Sequence, residues 1–94
     1  MIELIEKAVA YVDKDGQPVL GEGSEPHFKQ ARAIFNSIGD AVAKAQVLQE
    51  YSGRAEIDEA RKANGVARMV PIFDVYKDGI FWGVVKANGE YVEV

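Results

Sequence analysis

The chain has 94 residues, of which 48% are hydrophobic and 28% charged, with a formal net charge of −4 and no cysteine. Its length predicts a single domain over residues 1–94, and its composition excludes the disordered and fibrous classes. The lack of cysteine excludes disulfides and thiol chemistry, and an acidic N-terminal segment without a long apolar run leads us to expect a cytoplasmic protein with no membrane contact.

The N-terminal region is predicted to form a β-hairpin. An Asp-Gly pair at residues 15–16 lies between two apolar runs, which is typical of a tight turn because glycine readily adopts a positive φ. The expected strands cover residues 8–13 and 17–21. Residues 1–7 fit neither a helical nor a strand period, so they either extend the first strand or form a short helical turn.

The middle of the chain is predicted to begin with a long helix. Ser24 is a favourable N-cap, and apolar or small residues follow it at helical spacing. Because the spacing stays in phase across Gly39, we expect one helix over residues 25–51 that is weakened at this glycine. A break at Gly39, with Asp40 as the N-cap of a new helix, is the alternative.

A second, shorter helix is predicted over residues 54–63. Its apolar row is thin, since Ile57 is its one large apolar residue. The Asn-Gly pair at residues 64–65 is typical of a left-handed helix end. This helix therefore packs closely but contributes little buried area.

The C-terminal third is predicted to form a three-stranded meander. Asp-Gly and Asn-Gly pairs at residues 78–79 and 88–89 separate apolar runs. The expected strands are residues 69–76, 80–86 and 90–94. The fold class that follows is a two-layer α+β domain, in which an antiparallel sheet of about five strands, in the chain order ββααβββ, carries one long and one short helix on one face.

The last strands are apolar on both faces. Regular alternation places Ile80, Trp82 and Val84 on one face of their strand, and Phe81 and Val85 on the other. Two helices cover only one face of a sheet. Either the sheet curls so that its own strands cover the second face, or another chain covers it.

We therefore expect a protein-binding surface in which aromatic side chains are surrounded by an acidic rim. Its predicted residues are Tyr76, Phe81, Trp82, Tyr91, Asp74, Asp78 and Glu90. The expected function is a non-enzymatic interaction module that binds either a second copy, as a homodimer, or a basic partner. Small acidic inhibitors and adaptors of phages and mobile elements have this character, and they often occlude a nucleic-acid-binding surface of their target. Asp74 itself is interpreted as a solvent-facing or edge residue, the alternative being a buried functional carboxylate.

The sequence contains no catalytic or metal motif, and we expect no cofactor. His27 is the only histidine, so a zinc site or a catalytic triad would lack partners. The alternative function is a small-ligand domain or modest enzyme, with a pocket between the sheet and the long helix that uses Asp74, Tyr76 or His27. A third hypothesis is weak nucleic-acid binding through Arg61 and Lys62 of the second helix.

The distribution of charge argues against nucleic-acid binding on the sheet. Residues 1–26 and 69–94, which are predicted to form most of the sheet, contain ten acidic and four basic residues. The intervening residues, 27–68, contain five acidic and seven basic residues. An acidic sheet repels a phosphate backbone, so we expect no nucleic-acid partner there.

Overall fold

The computed structural model of this chain describes residues 1–17, 19, 25–26, 32–51 and 57–94. The strands are β1 Ile2–Val12, β2 Glu25–Pro26, β3 Arg32–Phe35, β4 Arg68–Lys77, β5 Ile80–Val85 and β6 Tyr91–Glu93, and the helices are α1 Ile38–Glu50 and α2 Glu59–Ala63. This is the predicted α+β class, with an antiparallel sheet that is five strands across and one longer and one shorter helix.

The sheet is built around β1 and β4, which pair along nearly their full lengths. The strand order is β2-β1-β4-β5-β6, and β3 also pairs with β1. Within β1, Ala8 and Val9 pair with β2, while residues 2–5 pair with β3. The two short strands therefore lie one after the other along the side of β1 that β4 leaves open. Residues 1–7, which the sequence left ambiguous, extend β1.

The three predicted turns are confirmed. Asp78 and Gly79, between β4 and β5, have φ values of 52° and 80°, which match a two-residue hairpin turn with positive φ at both positions. The other two turns place a single glycine, Gly16 or Gly89, at positive φ. After Gly16 the chain returns alongside β1, since Val19 N donates to the Tyr11 carbonyl at 3.1 Å. The predicted second strand, over residues 17–21, is not found at its described positions, since Gln17 and Val19 belong to no strand, and residues 18, 20 and 21 lie outside the described residues.

The predicted long helix is wrong in its first half. Residues 25–26 and 32–35 are strands, and α1 begins only after Ser37, whose Oγ accepts a hydrogen bond from Asp40 N at 3.1 Å. β3 pairs with β1, and Phe35 packs against the core, so tertiary contacts outweigh the helical spacing of the apolar residues. The alternative start at Asp40 is also too late. Residues 27–31, which include His27, lie outside the described residues, as does Ser24.

The short helix α2 is confirmed at its C-terminal end. Asp58 is its N-cap and accepts a hydrogen bond from Arg61 N at 2.8 Å, and Gly65 has a φ of 91° just after the C-cap. Ile57 therefore precedes the helix, where it is buried, and does not belong to a helical row. The predicted start at residue 54 lies outside the described residues.

Two apolar clusters hold the sheet and the helices together. The first joins α1 to the β1, β4 and β5 side chains facing it, and consists of Ile2, Leu4, Ala41, Ala45, Phe73, Val75 and Val85, with Phe35, Ile38, Val42, Leu48 and Tyr91 packed around it. The second lies at the other end of β1 and β4, and joins Tyr11, Ile57 and Val66 to Val19 and Met69. Alanines at the contact let α1 approach closely, so one face of the sheet is covered by α1.

Candidate functional site

The sheet face opposite α1, which we call the open face, carries a set of partly exposed apolar side chains. Since Leu4, Phe73 and Val85 point toward α1, their neighbours along each strand point away from it. Strand register places the residues of the open face in two rows, Ile34-Glu3-Tyr76-Phe81 and Ile5-Asp74-Val84-Val92.

Tyr76 and Phe81 form the aromatic centre of the open face. Their ring centroids are 5.7 Å apart and their planes are tilted by 55°, which is a favourable arrangement for two aromatic rings. Regular alternation predicts Phe81 on the same face as Val85, and this is wrong. A β-bulge in β5 shifts the register between the pairs Val75–Gly83 and Tyr76–Phe81. The extra residue, Trp82, lets Phe81 lie beside Tyr76 instead.

The open face is exposed to solvent in the described structure. Ile34, Phe81 and Val92 retain 63%, 40% and 43% of their accessible surface, and the intervening Ile5 and Val84 are half-buried. No described helix or strand lies over these residues, since α1 packs on the other face and the second apolar cluster is at the Tyr11 end of β1. Contiguous exposed apolar surface of this kind is typical of interaction sites.

Asp74 lies on the open face. The sequence was interpreted as placing it in a solvent-facing or edge position, but its strand is not at an edge of the sheet. β4 is flanked by β1 and β5, and the Asp74 side chain is only 17% exposed. Its Oδ1 is 3.2 Å from Lys7 Nζ, which reaches it from the bulge in β1. The Asp74–Lys7 ion pair has no net charge and lies among apolar side chains.

The other two predicted aromatic residues do not join Tyr76 and Phe81. Trp82 is the bulge residue, and Lys77 Nζ lies 5.0 Å from the centre of its ring. Tyr91 lies on the face covered by α1 and packs against the core. Burial raises the pKa of the Tyr91 hydroxyl, and the neighbouring Glu93 carboxylate raises it further.

The two predicted rim acids lie far apart, at the turns at opposite ends of β5. Asp78 Oδ1 accepts a hydrogen bond from the N-terminal amine of Met1 at 2.6 Å, and this bond lowers the pKa of the Asp78 carboxyl. Glu90 Oε2 is 3.9 Å from Lys86 Nζ. Of the predicted surface, the structure therefore brings together Asp74, Tyr76 and Phe81.

Five members of the open face were missed in the sequence prediction: Glu3, Ile5, Ile34, Val84 and Val92. Ile34 was assigned to a helix, although it and Phe35 have side chains that favour strands and are followed by an Asn-Ser pair. Val84 was recognised as a strand residue, but its neighbours depend on the register between β4 and β5. No local signal in the sequence specifies that register.

A cleft between the sheet and the last turns of α1 is a second candidate site. It has a volume of about 450 Å³ and is lined by residues 15–17 and 87–89 together with Gln46, Gln49 and Arg68. Gln49 is only 5% exposed, and its Nε2 donates to the carbonyl of Pro71 at 3.0 Å and to that of Lys86 at 2.8 Å. Arg68 donates to the Gln49 carbonyl. Hydrogen bonds therefore hold the polar wall of the cleft in place. Neither Asp74 nor Tyr76 lines the cleft.

The basic side chains of α2 are engaged within the chain. Arg61 Nη1 is 2.6 Å from Asp58 Oδ2, its guanidinium lies 4.6 Å from the centre of the Tyr11 ring, and Lys62 Nζ is 3.6 Å from Glu59 Oε1. The Arg61 amide, followed by the Arg61 side chain, lowers the pKa of Asp58. This arrangement favours a structural role for the basic residues of α2 over phosphate contacts.

Among the described residues, no group of three or more histidine and carboxylate side chains is placed to hold a metal ion. In the same part of the chain, no helix combines the length and apolar character needed to cross a membrane. No protein-family model, curated protein or solved structure matches this sequence.

Proposed function

We propose that this protein is a non-enzymatic interaction module that binds a basic protein surface through the open face of its sheet. The observation that carries the proposal is the contiguous exposed apolar surface around the Tyr76–Phe81 pair, on the side of the sheet away from α1. Aromatic side chains are common anchors at the centre of protein interfaces because they bury a large area at a small cost in conformational entropy.

Charge favours a basic partner over a second copy. The chain has a net charge of −4, so two copies packed face to face bring like charges together. A basic partner is instead attracted over a distance of about 10 Å at ordinary ionic strength. The Asp74–Lys7 pair is balanced within the open face, so the attraction comes from the net charge of the chain as a whole.

The exposed parts of Ile34, Phe81 and Val92 indicate the strength of the interaction. Covering roughly half of a large apolar side chain contributes about 1 kcal/mol, so each of these three residues contributes approximately that amount. An aromatic residue at the centre of an interface commonly contributes more than its exposed area alone, so loss of the Phe81 ring weakens binding by about 1.4 kcal/mol or more, which is a factor of at least ten.

The test compares two variants with matched exposure. Phe81→Ser removes an aromatic ring that is 40% exposed on the open face, and Val47→Ser removes a side chain that is 43% exposed on α1. Proteins retained by the immobilised wild-type chain and by each variant are identified, and the polypeptide that depends most on Phe81 is purified. Its dissociation constant is then measured by calorimetry against all three chains.

The proposal predicts a basic polypeptide that binds the wild-type chain with a micromolar or lower dissociation constant. This polypeptide should bind Phe81→Ser at least tenfold more weakly and Val47→Ser as tightly as the wild type. The absence of any Phe81-dependent partner contradicts it. Light scattering completes the test, since a wild-type dimer that Phe81→Ser converts to a folded monomer assigns the open face to self-association instead.

The inhibitor form of this proposal makes a narrower prediction. If the acidic chain occludes a nucleic-acid-binding surface of its partner, then the wild-type chain releases a fluorescent oligonucleotide from that partner, and Phe81→Ser releases it only at higher concentration. A partner that binds the chain and the oligonucleotide at the same time excludes this form, and leaves the adaptor form in place.

The cleft beside α1 supports a second candidate function, the binding of a small polar ligand. Its carbonyl, amide and guanidinium groups are held in place by the hydrogen bonds of Gln49 and Arg68. A ligand present at 100 times its dissociation constant adds about 2.7 kcal/mol to the free energy of unfolding. Thermal unfolding with a metabolite panel detects such a ligand, and Gln46→Ala, at the cleft wall, reduces the shift.

A further inference from the structure

One edge of the sheet continues the open face and is available for strand addition. β6 is the last strand of the sheet order, and it pairs with β5 alone. No described segment lies beyond β6. Its residue Val92 ends the apolar row of the open face, so a further strand would extend that row.

Hydrogen bonds show which backbone groups of β6 point outward. The Glu90 carbonyl accepts from Lys86 N at 2.8 Å, Val94 N donates to the Trp82 carbonyl at 3.0 Å, and Val92 is paired with Val84 between them. Backbone groups of an antiparallel edge strand alternate between the two sides. The N–H and C=O groups of Tyr91 and Glu93 therefore point away from β5.

The side chains along this edge specify a chemical class of partner. On the α1 side, Glu93 is exposed and acidic, and on the open face Val92 is 43% exposed and apolar. Directly opposite residues of paired strands lie on the same face and interact. We propose that β6 binds an extended segment of the partner in which basic residues alternate with aliphatic ones, and this proposal rests on the proposed function of the open face. The basic residues lie opposite Glu93 and the aliphatic residues lie opposite Val92.

A second copy of β6 fits this edge less well. Each copy has a net charge of −4, so pairing two β6 strands brings two chains of like charge together. The acidic edge is therefore complementary to a basic strand, not to itself.

The test uses two synthetic peptides of eight residues, one alternating lysine with valine and one alternating glutamate with valine. Fluorescence anisotropy measures their dissociation constants for the wild-type chain at low and at physiological salt, and amide chemical shifts locate the bound peptide. Glu93→Pro removes an outward-facing N–H group without removing a β5–β6 hydrogen bond. Glu93→Gln is its control, because it removes the charge and keeps the N–H group.

We expect the lysine peptide to bind at least tenfold more tightly than the glutamate peptide, with shifts centred on residues 91–94. Glu93→Pro should weaken binding at least tenfold, and Glu93→Gln only a few-fold. Equal binding of both peptides to the wild-type chain overturns the inference, and so does unchanged binding of the lysine peptide to Glu93→Pro.

If either result occurs while a Phe81-dependent partner is found, the edge inference fails and the open-face function stands. If no Phe81-dependent partner exists but the lysine peptide binds at β6, the open-face function fails alone.

Discussion

The substitution Gly83→Ala gives the most direct test of how β6 is held on the sheet. A Cβ on Gly83 would lie 2.6 Å from the Val92 carbonyl oxygen, 2.7 Å from Tyr91 Cε1 and 2.8 Å from Tyr91 Oη. Because one of these atoms belongs to the backbone, β6 itself must move, and a change of side-chain rotamer is insufficient. Tyr91 then loses part of its packing against the core.

The expected magnitude follows from two opposing effects. Replacing glycine in a strand normally stabilises a protein by about 0.5–1 kcal/mol. Overpacking costs about 1–3 kcal/mol, and loss of part of the Tyr91 burial adds up to about 1–2 kcal/mol. We therefore expect Gly83→Ala to lower the free energy of unfolding by about 1.5–3 kcal/mol.

Urea denaturation measures this change. With a slope of about 1–2 kcal/mol/M, the midpoint should fall by roughly 1–2 M. The control is Gly39→Ala in the first turn of α1, where the nearest atom to a new Cβ is Ser37 Oγ at 3.8 Å, so a gain of about 0.5–1 kcal/mol is expected. In a Tyr91→Ala background, the cost of Gly83→Ala should shrink, since two of the three close contacts are gone. A Gly83→Ala midpoint equal to or above that of the wild type refutes the reasoning.

Three further predictions concern buried and capping groups. Gln49→Leu leaves two backbone carbonyls without their donor and should lower the free energy of unfolding by about 2–4 kcal/mol in urea, whereas the exposed Gln46→Leu should cost less than about 1 kcal/mol. The raised pKa of Tyr91 favours the protonated hydroxyl in the folded state, so its contribution is complete below pH 10.0 and is lost as the pH rises further; the wild type should lose stability there more steeply than Tyr91→Phe, and parallel curves exclude this contribution. The lowered pKa of Asp58 acts in the opposite direction, since its contribution is present above 3.8 and is lost as the pH falls; the urea midpoints of the wild type and Asp58→Asn, which keeps an N-cap side chain, should therefore converge at acid pH.

The C-terminal half of the fold was predictable because its signals are local. The Asp-Gly and Asn-Gly pairs place the turns, and the expected strands agree with β4, β5 and β6 to within two residues at each end. In β5, the bulge residue Trp82 precedes Gly83, and Tyr91 lies against this glycine. These features depend on φ preferences and side-chain size at single positions.

The first half of the predicted long helix failed because its pattern fits two periods. Phe35 and Ile38 lie at helical spacing, but Ala33 and Phe35 also lie at strand spacing, and the choice between them is made by β1. The sequence Ser37-x-x-Asp40 was the local signal for the true start, since a serine followed three residues later by an acidic residue is a typical N-terminus.

The sequence predicted that an apolar sheet face is exposed, but not which residues form it. An excess of apolar strand residues indicates that the helices leave one face of the sheet uncovered. This inference does not depend on the register of strand pairing. The membership of this face depends on the bulge that moves Phe81 next to Tyr76, and on the pairing of Ile34 with Glu3. Both arise from contacts between distant parts of the chain, so the sequence did not show that Tyr91 packs against the core or that Ile5 and Ile34 lie on the open face.

The long pairing of β1 with β4 determines when the domain can fold. The paired residues, from Val12 with Arg68 to Ile2 with Lys77, are 56 to 75 positions apart in the chain. At a synthesis rate of about 5–20 residues per second, β1 waits roughly 3–15 s for its main partner. During that time, β2 and β3 pair along one side of β1 at most, and the other side presents unpaired amides and apolar side chains. A chain that ends before Arg68 therefore leaves one side of β1 unpaired and prone to aggregation, whereas in the completed chain β4 places β1 in the interior of the sheet.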